Sequence, residues 1–103
     1  MSTEAGIKHD QDKPRPDLVL DGFPHALLAV SYVAAYGAAK YTEDGWRTVP
    51  DGLKRYRAAK DRHRMLGAIE ERDEESGLLH AAHEAWNALA TLELALLAQK
   101  ANA

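Results

Sequence analysis

Leu79-His80-Ala81-Ala82-His83-Glu84-Ala85-Trp86-Asn87-Ala88-Leu89-Ala90-Thr91-Leu92-Glu93-Leu94-Ala95-Leu96-Leu97 is the stretch whose periodicity decides the fold. Apolar side chains return every three or four positions, at Leu79, Ala82, Trp86, Leu89, Leu92, Leu96 and Leu97, which is the period of an α-helix and not of a strand. Ser76 stands ahead of it as an N-cap, so the spacing predicts a helix from about Gly77 to Gln99. Its apolar face is broad enough to cover other helices of the same chain and a second chain as well.

Working upstream, Pro24 suits the first turn of a helix, and Leu27, Val30, Ala34, Ala38 and Tyr41 recur at helical spacing, which predicts a helix over residues 24–41. Thr42-Glu43-Asp44-Gly45-Trp46 breaks that pattern with turn chemistry, and Val49-Pro50-Asp51-Gly52 leads into a further helix expected from Asp51 to Arg72. Between Lys8 and Asp17 there is no large apolar residue, and Lys13-Pro14-Arg15-Pro16 resists a regular helix because each proline restricts the residue before it. Residues 1–20 therefore read as an extended arm. Nothing alternates with period two, so the chain is expected to be all-α: one domain over 1–103, a bundle of three main helices with an N-terminal arm. At this length a monomer buries only a modest core, and oligomerisation is the default expectation.

Composition removes several classes of function. There are no cysteines, hence no disulfides, thiolate catalysis, zinc-thiolate sites or iron-sulfur clusters. No apolar run approaches the length of a membrane span and the N-terminus carries no signal-type segment, so no membrane partner and a cytoplasmic setting are expected. A net charge of -3 argues against a stable nucleic-acid partner.

The chemistry concentrates between Glu70 and Asn87. Glu70-Glu71-Arg72-Asp73-Glu74-Glu75 sets five carboxylates in six residues, which costs stability through like-charge repulsion unless cations neutralise them. At about 100° per residue Glu70, Asp73 and Glu74 share one narrow face with His63 two turns earlier, while His80, His83, Glu84 and Asn87 share a face of the next helix. A short turn at Glu75 to Gly77 then makes the helices antiparallel neighbours and brings the two stripes together. Carboxylate-rich oxygen sets suit magnesium or manganese, with the histidines as ligands or as partners of ligands. Asn87 is costly near an apolar seam unless its amide is paired. Lys54, Arg55, Arg57, Lys60, Arg62 and Arg64 precede the acidic run, and basic groups beside a metal site are what a polyphosphate needs; Arg55 and Arg62, on one side of the helix, are the preferred pair.

The order Lys13-Pro14-Arg15-x-Asp17-Leu18, Tyr36-Gly37-Ala38-x-Lys40-Tyr41, Trp46, Arg62-His63 and Glu70-x-x-Asp73-x-Glu75-Ser76-Gly77-x-x-His80-x-x-His83-x-x-x-Asn87 resembles the phage-type dATP/dGTP diphosphohydrolases, a branch similar to the MazG nucleotide pyrophosphohydrolases. Glu70-Glu71-x-x-Glu74 and Glu84-x-x-Asn87 resemble the two MazG half-motifs, with Asn87 standing where those chains carry Asp. The resemblance implies a MazG-like all-α bundle completed as a homodimer or homotetramer. It implies cleavage of a (deoxy)nucleoside triphosphate, dGTP or dATP, between the α and β phosphates to a monophosphate and pyrophosphate.

Carried onto this sequence, the resemblance implies two or three magnesium or manganese ions held by a set drawn from Glu70, Asp73, Glu74, His83, Glu84 and Asn87. Glu70, Glu71 and Asp73 would act in catalysis, with Glu71 accepting a proton. Lys13, Arg15, Lys40, Arg55, Arg62, His63 and His80 would face the substrate, with Tyr41 or Trp46 against the base. An HD-type phosphohydrolase is the alternative enzyme, but its adjacent His-Asp pair occurs only as His9-Asp10 in the arm. A non-enzymatic helical module that binds nucleic acid or protein through the basic helix face is the alternative from another class.

Overall fold

A computed structural model of the chain describes residues 6–102; residues 1–5 of the expected arm, and Ala103, lie outside the described residues. The elements in order are α1 (Pro16–Leu20), α2 (Pro24–Lys40), a 3-10 turn (Gly45–Thr48), α3 (Gly52–Gly67) and α4 (His80–Ala101). The fold is all-α, and no strand occurs among the described residues.

The helix starts follow proline chemistry. Pro16 and Pro24 each occupy a first turn, where a missing N–H costs nothing and a fixed φ helps. The arm is therefore not extended throughout: Pro16, expected to block a helix, begins one, with Asp17 acidic in its first turn. The buried stripe of α2 runs through Val33, not through Ala34 and Tyr41, both of which are exposed.

The expected helix over 51–72 ends at Gly67, and the one expected from Gly77 begins at His80. Residues 68–79 form a folded loop. Continuing α3 would have stacked carboxylates on its C-terminal end, where the helix dipole is already negative. The chain turns back instead: Arg72 and Leu79 make an antiparallel bridge, Asp73 N–H donates to Leu78 C=O at 2.7 Å, and His80 N–H donates to Glu71 C=O at 3.0 Å. Gly77 takes φ +73°, the left-handed region that favours glycine, and donates its N–H to Asp73 C=O at 2.8 Å. Ser76 does not cap α4, whose N-cap position is Leu79; it holds this loop through Asp73.

The loop makes α3 and α4 antiparallel. At one end of the pair, a β carbon on Gly67 would lie 3.3 Å from His80 Cβ; at the other, one on Gly52 would lie 3.2 Å from Leu94. Small residues let the two helices approach closely at both points. α2 packs across α4, with Tyr36 edge-on to His83 at 6.3 Å between ring centroids. Between them the helices bury few apolar groups, Val33, Ala82 and Ala90, together with the polar His80, His83 and Asn87. Leu89, Leu92, Leu96 and Leu97 stand exposed along the far half of α4, and Leu18, Val19, Leu20 and Phe23 along α1 and the start of α2. No helix among the described residues is long and apolar enough to cross a membrane.

Candidate active-site cleft

The polar residues buried in a bundle this small sit together. His80, 1% exposed, opens α4 and faces His63 from the last turns of α3, with the two Nδ1 atoms 2.9 Å apart. The His63 ring stacks on His83 at 4.5 Å with planes 10° from parallel, so one imidazole is clamped between two others. Asp73 reaches the same point from the loop: ligand atoms of His63, Asp73 and His80 all lie within 4.8 Å of one another.

Ser76 is the hub that fixes Asp73. Its N–H and its hydroxyl both donate to Asp73 Oδ2, at 2.9 and 2.8 Å, while its Oγ stands 2.7 Å from His83 Nε2. Since the one hydroxyl hydrogen goes to the carboxylate, His83 is the Nε2–H tautomer and donates to Ser76 Oγ. Partial burial pushes the Asp73 carboxyl up, but the two Ser76 donors and the neighbouring imidazoles outweigh it and hold Asp73 below the usual aspartate value. Asp73 is thus ionised at neutral pH. Burial, followed for His63 by the charges of the other histidines, pushes both His63 and His83 down, so their rings are neutral and available as ligands or acceptors.

These shifts set a pH dependence of stability. Below the unfolded histidine value of 6.5 the unfolded chain takes up protons that His63 and His83 refuse in the folded state, so the stabilisation is complete above that pH and shrinks as pH falls toward their folded values. The melting temperature of the metal-free protein is expected to fall between about pH 7 and about pH 5.5. A flat profile in differential scanning fluorimetry over that window would contradict neutral, buried imidazoles.

A cleft of about 930 Å3 opens beside this cluster, lined by α2, the 3-10 turn, α3, the loop and α4. Tyr36 and Lys40, one turn apart on α2, both bond Glu75 Oε2 across it. Lys40, and then Tyr36, hold the Glu75 carboxyl below the usual glutamate range, and Glu75 in turn raises Lys40. Lys40 also lies over the Tyr41 ring at 5.2 Å. On the opposite side Trp46, Tyr56 and Trp86 meet edge to face at 5.6 to 6.4 Å, and the Tyr56 hydroxyl donates to Trp46 C=O at 2.9 Å, pinning the 3-10 turn.

Of the residues singled out from the sequence, Lys40, Tyr41, Trp46, Arg55, Arg62, His63, Asp73, His83 and Asn87 line this one cleft. His80 and Glu70 do not line it; Glu70 Oε1 lies 3.5 Å from His80 Nε2, a buried nitrogen with no hydrogen-bond partner among the described residues. Asn87 is buried and spends one amide hydrogen on His83 C=O at 2.8 Å, within its own helix. Glu71, Glu74, Glu84, Lys13 and Arg15 are not among the lining residues, and Arg15 is paired with Asp17 at 2.8 Å. Because α3 ends at Gly67, Glu70, Asp73 and Glu74 do not form a helical face with His63; the loop carries Asp73 to that histidine while Glu74 stays exposed.

Tyr36, Glu75 and Ser76 are the members that the sequence reading left without a chemical role. Glu75 and Ser76 were expected to turn the chain, with Ser76 also as the N-cap of the next helix; for Tyr36 the available signal was the Tyr36-x-x-x-Lys40 spacing, which puts both side chains on one face of a helix.

The donor set fits a divalent cation. Two imidazole nitrogens and an ionised carboxylate converge, and nitrogen ligands at about 2.1 Å from a common ion stand about 3.0 to 3.4 Å apart, close to the His63–His80 separation. No curated protein and no solved structure matches the chain. A family model described as dATP/dGTP diphosphohydrolase, N-terminal, matches residues 3–103, nearly the whole length, with the Tyr36-to-Lys40, Arg62-His63 and Glu70-to-His83 motifs inside it. The chain belongs to the dATP/dGTP diphosphohydrolase family.

Proposed function

We propose that the protein is a metal-dependent pyrophosphohydrolase that cleaves a deoxypurine nucleoside triphosphate, dGTP or dATP, between the α and β phosphates, releasing the monophosphate and pyrophosphate. The observation that carries this reading is the make-up of one cleft, lined by the imidazole and carboxylate donors His63, His83 and Asp73, by Lys40, Arg55 and Arg62, and by the rings of Tyr41, Trp46, Tyr56 and Trp86. Its volume falls within the range of small-molecule sites. A nucleoside triphosphate presents a group complementary to each: phosphate-bound metal, phosphate oxygens and a flat base.

Asp73, His63 and His80 would hold the divalent ion, with Glu70 beside them. When bound, such an ion lowers the pKa of a water and offsets charge on phosphate oxygens. Ser76 and His83 keep the Asp73 carboxylate ionised and aimed. Arg55 and Arg62 offer forked donors to phosphate oxygens, and Lys40 a point charge released when a phosphate displaces Glu75 from it. Tyr41 and Trp46 supply apolar faces for the base. Asn87 has an amide oxygen to offer within the cleft. Lys13 and Arg15 lie on the arm, from which they would serve the cleft of a neighbouring subunit in a homodimer or homotetramer.

Purified protein incubated with each deoxynucleoside triphosphate and manganese or magnesium is expected to yield monophosphate and pyrophosphate on ion-exchange chromatography, fastest with a purine. Diphosphate with orthophosphate, or nucleoside with triphosphate, would overturn the assignment.

A further inference from the structure

Two ring nitrogens that face each other at 2.9 Å, as His63 Nδ1 and His80 Nδ1 do, cannot both present lone pairs without something positive between them. In the metal-free chain that is a proton. His80 has no room to turn its ring away, being 1% exposed, and His63 is held by its stack on His83. The pair is therefore fixed in the orientation in which a single cation replaces the proton.

We propose that His63 Nδ1, His80 Nδ1 and an Asp73 carboxylate oxygen form a two-histidine, one-carboxylate face that binds a first-row transition-metal ion in preference to magnesium, with Glu70 as the outer partner that orients His80. The inference rests on the divalent-metal reading above and goes beyond it in naming the class of ion.

The ligand chemistry decides the class. Magnesium is small, strongly hydrated and bound through oxygen, and it gives up its waters reluctantly, so two imidazoles are a poor exchange for it. Imidazole suits iron, nickel, copper and zinc far better, and the affinity of such a site for divalent first-row ions rises from manganese through cobalt to copper. Both of Ser76's bonds to Asp73 land on Oδ2, which leaves Oδ1 free to ligate.

Glu70 completes the argument from the other side of the ring. A histidine that ligates through Nδ1 must carry its hydrogen on Nε2, and a buried N–H needs an acceptor. Among the described residues His80 Nε2 is buried without a hydrogen bond, and the charged oxygen beside it is Glu70 Oε1, at 3.5 Å. A small closure of that contact gives the carboxylate–histidine–metal arrangement in which the outer carboxylate fixes the tautomer. Glu70 is then a positioning residue and Asp73 the ligand, although both stand in the same acidic run.

Cobalt(II) gives a direct reading of this site without any turnover. Titrated into the metal-free full-length protein, it is expected to produce a saturable visible d–d absorption with nitrogen ligation, and a large excess of magnesium is expected to leave the band in place. His63→Gln and Asp73→Asn should each abolish the band while far-ultraviolet circular dichroism stays that of the parent. Glu70→Gln should keep the band and weaken cobalt binding by about 10- to 100-fold. A protein that binds no cobalt, or whose bound cobalt is readily displaced by magnesium, or whose band survives both ligand substitutions, overturns the assignment. Should the band behave as stated and no triphosphate be hydrolysed, the metal site stands and the hydrolase reading falls; hydrolysis supported by magnesium alone, with no cobalt band, has the reverse meaning.

Discussion

Asparagine in place of Asp73 is expected to lower kcat/KM for the preferred triphosphate by about 1000-fold with the helical content unchanged, the loss that several kcal/mol of transition-state stabilisation represents at 1.36 kcal/mol per tenfold. Asp73 is the only carboxylate that the loop delivers to both histidine faces: its ligand atom is within 4.8 Å of those of His63 and His80, and its Oδ2 is 3.8 Å from His83 Nε2. The amide keeps the shape and an oxygen that can accept from Ser76, so the loop survives, but the charge that would draw a cation between the imidazoles is gone. Ser76→Ala should cost less, about 10- to 100-fold, because it removes an orienting partner and not a ligand. Steady-state kinetics at saturating manganese, with circular dichroism as the control for folding, checks both. Wild-type turnover by the asparagine variant would remove Asp73 from the site.

Glutamate at both Leu92 and Leu96 is expected to dissociate the protein and to lower its melting temperature by about 15 °C or more. A lone chain with 8208 Å2 of accessible surface buries few apolar residues, and its radius of gyration, 18.1 Å, exceeds the roughly 13 Å of a compact domain of this size. Leu92 and Leu96 are 55% and 51% exposed, one turn apart, and continue with Leu89 along one side of α4. In a monomer such positions accept glutamate within about 0.5 kcal/mol. Covered by a second copy, each leucine contributes about 2 kcal/mol, and about 4 kcal/mol at 4 to 8 °C per kcal/mol gives the stated shift. Size-exclusion chromatography with light scattering, alongside thermal melts, distinguishes the two; a parent protein that runs as a monomer, and a double variant that melts with it, would contradict assembly through this face.

Of the helices, α2 and α4 were legible in the sequence because their signals are local, whereas α1 falls in the stretch that reads as extended arm and α3 ends five residues short of the expected Arg72. Pro24 marks the start of α2 to the residue, and the 3.6-residue apolar repeat from Leu79 onward locates α4. The turn at Glu75 to Gly77 is as expected, but both ends of the loop between α3 and α4 read as helix in the sequence, the first because its carboxylates also fall at helical spacing. Asp73-x-x-Ser76-Gly77 is, in retrospect, a turn signature: the aspartate accepts from the backbone and hydroxyl three residues on, and the glycine takes the positive φ. In that segment the local polar bonds win over continued helix, and they carry Asp73 to His63, His80 and His83 while Glu70 reaches only His80.

The participation of Glu75 was beyond reach for a different reason. Its partners Tyr36 and Lys40 lie on α2, 39 and 35 residues away, and no periodicity within either segment encodes a contact across that distance in the chain. His80 and His83 were recognised as ligand types, yet the division between them, His80 toward His63 and His83 toward Ser76, depends on where α4 begins. A helix started three residues earlier rotates that face.

The most direct test of the central claim is hydrolysis of dGTP in oxygen-18 water with manganese, read by mass spectrometry of both products. Attack of water on the α phosphorus predicts one heavy oxygen in the monophosphate and none in the pyrophosphate. Heavy oxygen in the pyrophosphate, or products other than these two, would contradict it.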